Sequence, residues 1–247
     1  MKAIIIAGGS GERLRPLTNE IPKCMVKLYG KSFLEWQIDT FRNCNVTDIT
    51  VVTGYNNHRV NFPDITYINN YEYETTNIYQ GLYCAKEKLT EPTIISYGDI
   101  IFEKGILYKL LDYSGDIGIA VDLNWEKAYV GRTQHPPSEA ENVLLNNNKI
   151  VEIKKNIQKK ERFQRIGEFI GLMKLSKKGS LIIKNTFEKL SSHKVKFHNA
   201  NSIKEAYLTD LIQELIDKGI SVEPLFIDGK WCEIDTIQDL ERAKKIF

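Results

Sequence analysis

Five apolar residues, Ala3–Ala7, run without interruption into Gly8-Gly9-Ser10-Gly11, and Arg13, Arg15 and Pro16 follow at once. A short apolar run closed by glycines predicts a buried parallel strand that turns tightly at its carboxyl end. Such a turn suits an anion, because glycine lets backbone N–H groups approach a phosphate closely. Two familiar phosphate loops do not fit. A P-loop ends in Gly-Lys-Ser/Thr, whereas Gly11 is followed by Glu12 and Arg13. A dinucleotide fingerprint begun at Gly9-Ser10-Gly11 would end on Leu14, and the second strand, Ile49–Thr53, ends in Gly54-Tyr55 with no acidic residue. The loop is therefore of another kind, with cations of its own. Lys23, aimed by Pro22 and leading into a short apolar strand, joins Arg13 and Arg15 in a cationic cluster.

The rest of the chain alternates strands and helices. Helical spacing runs over Ser32–Asn43, Thr76–Leu89, Gly105–Tyr113, Glu205–Lys218 and Ile237–Ile246. Strands are expected at Ile65–Ile68, Thr93–Tyr97 and Asp116–Leu123, and a hairpin at Val143–Leu145 and Ile150–Ile153 turns on Asn146-Asn147-Asn148. The alternation predicts a doubly wound, mostly parallel, Rossmann-like α/β sheet, whose sites lie at the carboxyl ends of the strands. No linker divides the chain, so residues 1–247 read as one domain.

Composition removes several classes. A net charge of +2 is too balanced for a nucleic-acid binder, and no apolar stretch approaches a membrane span or a signal peptide. Four scattered cysteines (Cys24, Cys44, Cys84, Cys232) form no CxxC pair and predict reduced thiols and no zinc site. The expected location is the cytoplasm.

Two further positions carry chemistry. Asp99 follows the strand Thr93–Tyr97 beside Gly98, well placed to hold a metal. In Trp231-Cys232-Glu233-Ile234-Asp235-Thr236 the alternation sets Glu233 and Asp235 on one side of a strand. Mg²⁺ prefers one or two carboxylates together with substrate phosphates and water.

The stretch AGGSGERLRPLTNEIPKCMVKLYGKSFLEW resembles the signature of the sugar-phosphate-type nucleotidyltransferases, and the likeness continues in pieces over most of the chain. Gly30-Lys31-Ser32 stands where the family has Gly-Lys-Pro; Ser suits the helix start expected there. The resemblance implies a GT-A-like nucleotidyltransferase fold and an Mg²⁺-dependent enzyme, with residues 1–120 mainly its nucleotide-binding half and 121–247 mainly its acceptor-binding half, which adds the second metal ligand. It implies that Gly8, Gly9, Ser10 and Gly11 hold the nucleotide phosphates. Arg13 and Lys23 then act on the phosphates at the reacting centre, and Asp99 and Asp235 bind Mg²⁺. The base would be held around Ala7, Gly8, Thr76, Asn77 and Gly81. Such transfer needs alignment and charge neutralisation rather than a Ser, Cys or His nucleophile.

The middle of the chain, from Val121 to Tyr129, through GRTQHPPSEAENV and on to GEFIGLMKLS, is similar to cytidylyltransferases acting on phosphocholine, 2-aminoethylphosphonate and related acceptors. The partners implied are CTP and a small phospho-acceptor, with homodimerisation open. The product would serve decoration of a cell-surface polysaccharide or lipid. Trp125 and Tyr129 are candidates for an aromatic wall against an ammonium. Glu139, Glu141 and Glu168 are candidates to balance its charge, and Arg132 and His135 either bind the acceptor phosphate or brace that loop. Glu233 is either a third metal ligand or a contact to the acceptor. Lys154 and Lys155 fall where related enzymes carry a second phosphate-binding lysine. Two alternatives remain: a hexose-1-phosphate or polyol-phosphate nucleotidyltransferase, and a non-catalytic nucleotide-binding regulatory subunit. The joint presence of Arg13, Lys23, Asp99 and Asp235 argues against the last.

Overall fold

In the computed structural model, which describes residues 1–159, 161–190 and 195–247, the opening apolar run forms β1 (Lys2–Ile6), with Ala3–Ile6 buried. The loop after it contains two single-turn 3-10 helices, Glu12–Leu14 and Lys23–Met25. The short strand expected directly after Lys23 is thus a 3-10 turn, followed by a tight hairpin of β2 (Lys27–Leu28) and β3 (Lys31–Ser32). Ser32 caps α1 (Phe33–Asn43): its hydroxyl accepts from the Glu35 N–H while Glu35 accepts from the Ser32 N–H. Then come β4 (Asp48–Thr53), β5 (Ile65–Asn69) and α2 (Ile78–Cys84). α2 is shorter than its periodicity predicts. The Thr75 and Thr76 hydroxyls bond back to Glu72 O, making a turn, and at Ala85 the backbone leaves the helix (φ −93°, ψ 9°).

The order continues with β6 (Thr93–Tyr97), β7 (Ile100–Phe102), α3 (Lys104–Asp112), β8 (Ile117–Asp122) and α4 (Glu126–Tyr129). It ends with β9 (Glu141–Asn146), β10 (Lys149–Lys155), β11 (Arg165–Leu175), α5 (Lys177–Leu190), α6 (Leu208–Asp217), β12 (Glu223–Ile227), β13 (Trp231–Glu233) and α7 (Ile237–Ile246). β9 and β10 form the antiparallel hairpin expected around Asn146–Asn148.

The large sheet runs β10-β9-β11-β6-β1-β4-β5, with β8 and β12 attached through β11. Its first half is parallel, β1 lying between β4 and β6 with β5 outside. The long β11 runs antiparallel to β6, β8 and β9 and carries the sheet into the second half, while β12 pairs parallel with β8. The main core spans both halves, from Ile4 to Met173 and Leu211. No helix among the described residues is long and apolar enough to cross a membrane.

Register decides where the site falls. Ile6 of β1 pairs with Tyr97 of β6, so the glycine loop and the Gly98-Asp99 turn leave the sheet side by side. The Gly98 N–H donates to Ile6 O at 2.8 Å, and a Cβ on Gly98 would meet that of Ala7 at 2.7 Å. Only glycine permits this approach. A ribbon of β7 and β13, with Ile100 opposite Glu233, brings the distant C-terminal stretch to the same point. There the Ile234 N–H donates to Asp99 O at 3.0 Å.

Gln37 of α1 holds the Asp99 turn from behind. Its buried amide donates to Tyr97 O and Ile100 O, both at 2.8 Å, and accepts from the Ser96 hydroxyl at 2.8 Å. Replacing Gln37 by Leu removes the amide bonds to Tyr97 O and Ile100 O, leaving Tyr97 O only the Ser96 hydroxyl at 3.2 Å, and should lower the free energy of unfolding by about 2–4 kcal/mol, measured by urea denaturation.

Candidate active site

The glycine loop opens one wall of a cleft of about 600 Å³ at the carboxyl ends of β1, β4 and β6. Ala7, Gly8, Gly9, Thr76, Asn77 and Gly81, all singled out in the sequence, line it. Ser10 and Gly11 lie further round the loop. Gly11 has φ +69°, and a Cβ there would sit 2.9 Å from Cβ of Lys23. The glycine both turns the loop and lets Lys23 pass beneath it. Asn77 caps α2 at the cleft, its side chain accepting from the Ile78 N–H. Asn70, which sequence reasoning missed, also lines the cleft; it donates to Thr76 Oγ1 at 3.0 Å and accepts from the Glu72 N–H. Its only sequence signal is a polar pair, Asn69-Asn70, at the end of a strand.

Lys23 stands at the floor of this cleft. Its buried ammonium donates to Asp99 Oδ2 at 2.5 Å and to Asp235 Oδ1. Burial works to lower the ammonium pKa, but the Asp99, Asp235 and Glu233 carboxylates outweigh it and hold Lys23 charged, above its ordinary range. Asp235 moves the other way: burial pushes its carboxyl up, yet Lys23, His135 and Arg13 carry it below the usual carboxylate range. Arg13 lies 3.0 Å from Asp235 Oδ2 with half its side chain exposed, whereas Arg15 turns outward to Glu12. Two carboxylates from distant segments thus share one site with two cations. Asp99 Oδ1 is buried with no hydrogen-bond partner among the described residues. That orphaned oxygen, beside a second carboxylate and a phosphate-sized cleft, fits a hard divalent cation such as Mg²⁺.

The Asp235 backbone is anchored by Asp239, which sequence reasoning missed. Asp239 Oδ2 accepts from Asp235 N, Thr236 N and the Thr236 hydroxyl at 3.2, 2.9 and 2.8 Å, and Thr236 caps α7. Its other oxygen accepts from Arg132 Nε at 2.6 Å. Arg132 also donates to Glu233 Oε2 at 3.3 Å. Arg132 therefore braces the carboxylate cluster, and it also lines a small cavity with Trp231, Cys232, Glu233 and Arg242.

A second cavity adjoins the first, lined by Glu139, Glu141, Glu168, Glu233, Tyr97 and Trp231 among others. Trp125 and Tyr129 do not form its wall. They pack edge to face at 5.5 Å in a separate small cluster with Ala140, and Trp125 donates to Ile166 O. Their four-residue spacing put them on one helical turn, and burial claimed that face. Tyr129 reaches the cavity only through its hydroxyl, which donates to Glu168. Aromatic walls come instead from Tyr97, Phe169 and Trp231. Of the paired lysines, Lys155 bonds Glu139 at 2.9 Å over the Tyr207 ring, while Lys154 turns to Glu152 at the surface.

The carboxyls of this cavity are costly when ionised. Burial raises Glu168 to about 8 and Glu141 to about 7. Glu233 rises well above the usual range, first by burial, then by the charges of Asp235 and Asp99. Glu168 Oε2 is buried without a hydrogen-bond partner among the described residues. Such a cluster favours a cationic group.

Comparison with known proteins gives a consistent answer. The family model described as "MobA-like NTP transferase domain" matches residues 3–148. The CTP:phosphoglutamine cytidylyltransferase of Campylobacter jejuni is 33% identical over 253 aligned residues, 98% of each chain. The choline-phosphate cytidylyltransferase of Streptococcus pneumoniae is 33% identical over 107 residues, 42% of this chain and 47% of that protein. The solved structure of a CTP:phosphocholine cytidylyltransferase from Streptococcus pneumoniae superposes with a TM-score of 0.74 at 20% identity, covering 99% of this chain and 98% of that one; it shows the shared fold.

The raised carboxyls make stability depend on pH with a definite sign. Between the ordinary glutamate value of 4.5 and about 8, Glu168 holds its proton in the folded state and loses it in the unfolded state. Stability contributed by this group is complete below that window and falls as pH rises through it. Glu168→Gln should flatten the fall, so that thermal unfolding profiles of wild type and variant diverge most above pH 8.

Proposed function

The chain belongs to the family of MobA-like NTP transferase domains, and on that premise we propose that it is a cytidylyltransferase. It moves CMP from CTP to a small phospho-acceptor that carries an ammonium group, and it releases pyrophosphate. The observation that carries the reading is the Lys23 ammonium between Asp99 and Asp235, directly beneath the glycine loop. CTP rests on the relatives whose names include it.

In the reaction an anionic oxygen of the acceptor attacks the α-phosphorus. A new P–O bond forms, the bond to the bridging oxygen breaks, and pyrophosphate departs with the electron pair. The nucleophile is already ionised, so no general base is required. The backbone N–H groups of Gly8 to Gly11 receive phosphate oxygens, and Arg13 swings from Asp235 to the triphosphate. Lys23 offers its charge to the α-phosphate, where negative charge concentrates as the bond forms. Asp99 and Asp235 would hold Mg²⁺, which neutralises phosphate charge when bound. A cytoplasmic location follows, since nucleoside triphosphates are supplied there.

The acidic cavity argues for the ammonium. Glu141, Glu168 and Glu233 sit around Tyr97 and Trp231, a combination that receives a cation through charge and ring faces. Phosphocholine, 2-aminoethylphosphonate and amino-acid phosphates all meet that description; a hexose phosphate offers no cation to it.

Pyrophosphate release with Mg²⁺, crossing four nucleoside triphosphates against these acceptors, glycerol phosphates and glucose-1-phosphate, tests the reading. Turnover is expected with CTP and one ammonium-bearing acceptor; turnover with glucose-1-phosphate alone overturns the acceptor assignment. Lys23→Ala should lower kcat by about 100-fold or more while circular dichroism stays unchanged. Unaltered turnover in that variant removes Lys23 from the reaction.

A further inference from the structure

Glu168 stands on β11 between Asp122 of β8 and Asn142 of β9. It is 4% exposed. One oxygen, Oε1, accepts from the Tyr129 hydroxyl; the other, Oε2, is buried with no hydrogen-bond partner among the described residues. Glu141 lines the same cavity and accepts at Oε2 from the Tyr97 hydroxyl at 2.9 Å. The third carboxylate of the cavity, Glu233, already has Arg132 at 3.3 Å, and the neighbouring Lys155 is taken up by Glu139 at 2.9 Å. The cavity measures about 280 Å³.

We infer that this cavity selects a primary ammonium over a trimethylated one, with Glu168 Oε2 as the acceptor that reads an N–H. The inference rests on the proposed reading of the cavity as the place of the acceptor's cation. An unpaired buried oxygen is a standing cost. A ligand with an N–H removes it, and a ligand without one seals it in. A primary ammonium brings three donors on one atom, and three carboxyls, Glu141, Glu168 and Glu233, line the space that receives them. In the free protein burial keeps Glu168 protonated through neutral pH. As the ammonium enters, that proton leaves to solvent and the ionised oxygen accepts from the ligand.

A trimethylammonium brings only methyl groups and depends on ring faces. Two of the three rings here are spent on each other: Tyr97 packs edge to face with Phe169 at 5.9 Å. The Gly171 backbone also lies against Tyr97, so closely that a Cβ on Gly171 would sit 2.4 Å from Cδ2 of that ring. Trp231 alone of the three has no ring partner among the described residues; its Nε1 donates to Asp122 Oδ2 at 2.9 Å.

Phosphoethanolamine and phosphocholine differ only in three N-methyl groups, and isothermal titration calorimetry of each against the full chain, with Mg²⁺ and no nucleotide, is the test. Phosphoethanolamine should bind at least about 30-fold more tightly. Glu168→Gln should weaken phosphoethanolamine about tenfold and phosphocholine by less than about threefold, with circular dichroism unchanged; a merely structural role for Glu168 would weaken both alike. The assay contains no CTP, so its outcome is separate from pyrophosphate release: a primary-amine preference without CMP transfer overturns the cytidylyltransferase reading and leaves this inference standing. Equal binding of the pair, tighter binding of phosphocholine, binding of neither, or equal losses in a folded Glu168→Gln variant overturns it.

Discussion

One buried ammonium holds the site together. Lys23 comes from the loop after the first strand, Asp99 from the turn after β6, and Asp235 from two positions before the last helix. Two buried carboxylates facing each other are strongly unfavourable without a compensating charge, and a lone buried ammonium is equally so. Each group is tolerable only because the other two are present. The glycine at position 11, the clamp by Gln37 and the anchoring of the Asp235 backbone by Asp239 all keep three charged tips within one hydrogen-bond length. On the proposed reading, the ammonium that balances carboxylates in the free protein is the one that faces phosphate in the occupied one.

Much of this arrangement is legible in the sequence because it is local. The apolar run Ala3–Ala7, the glycines after it and the serine cap at Ser32 each state their structure within a few residues. So does the carboxylate pair Glu233 and Asp235, whose alternation fits the short β13 and its continuation. What joins these pieces is not local. The antiparallel turn of the sheet at β11 and the ribbon of β7 with β13 are pairings between distant segments, and no periodicity announces them. Gln37 and Asp239 were invisible for the same reason: each looks like an ordinary polar helix residue until its partners arrive from elsewhere.

The acceptor side was harder to read for a different reason. Trp125 and Tyr129 have the chemistry to meet an ammonium, and so do Tyr97 and Trp231. Composition and spacing cannot tell a ring that faces a cavity from one that fills a core. Packing decided it: Trp125 and Tyr129 had Ala140 and Ile166 to cover, while Tyr97 and Trp231 sit beside the carboxylates. Arg132 followed the same logic, since a buried guanidinium takes the nearest buried carboxylate, Asp239.

The β7–β13 ribbon has a consequence for the order of events during synthesis. The contact between Lys23 and Asp235 spans 212 positions, so it cannot close until the chain has been made through Asp235. The residues that line the cleft lie in the first hundred positions, but the start of α2 is held from far along the chain, where the Asn77 N–H donates to Lys204 O and the Tyr79 N–H to Ala206 O. A chain made only that far has the lining residues of the cleft but neither that support nor the second carboxylate. The ribbon works as a final latch, setting Asp235 beside Lys23 only once β13 has paired with β7.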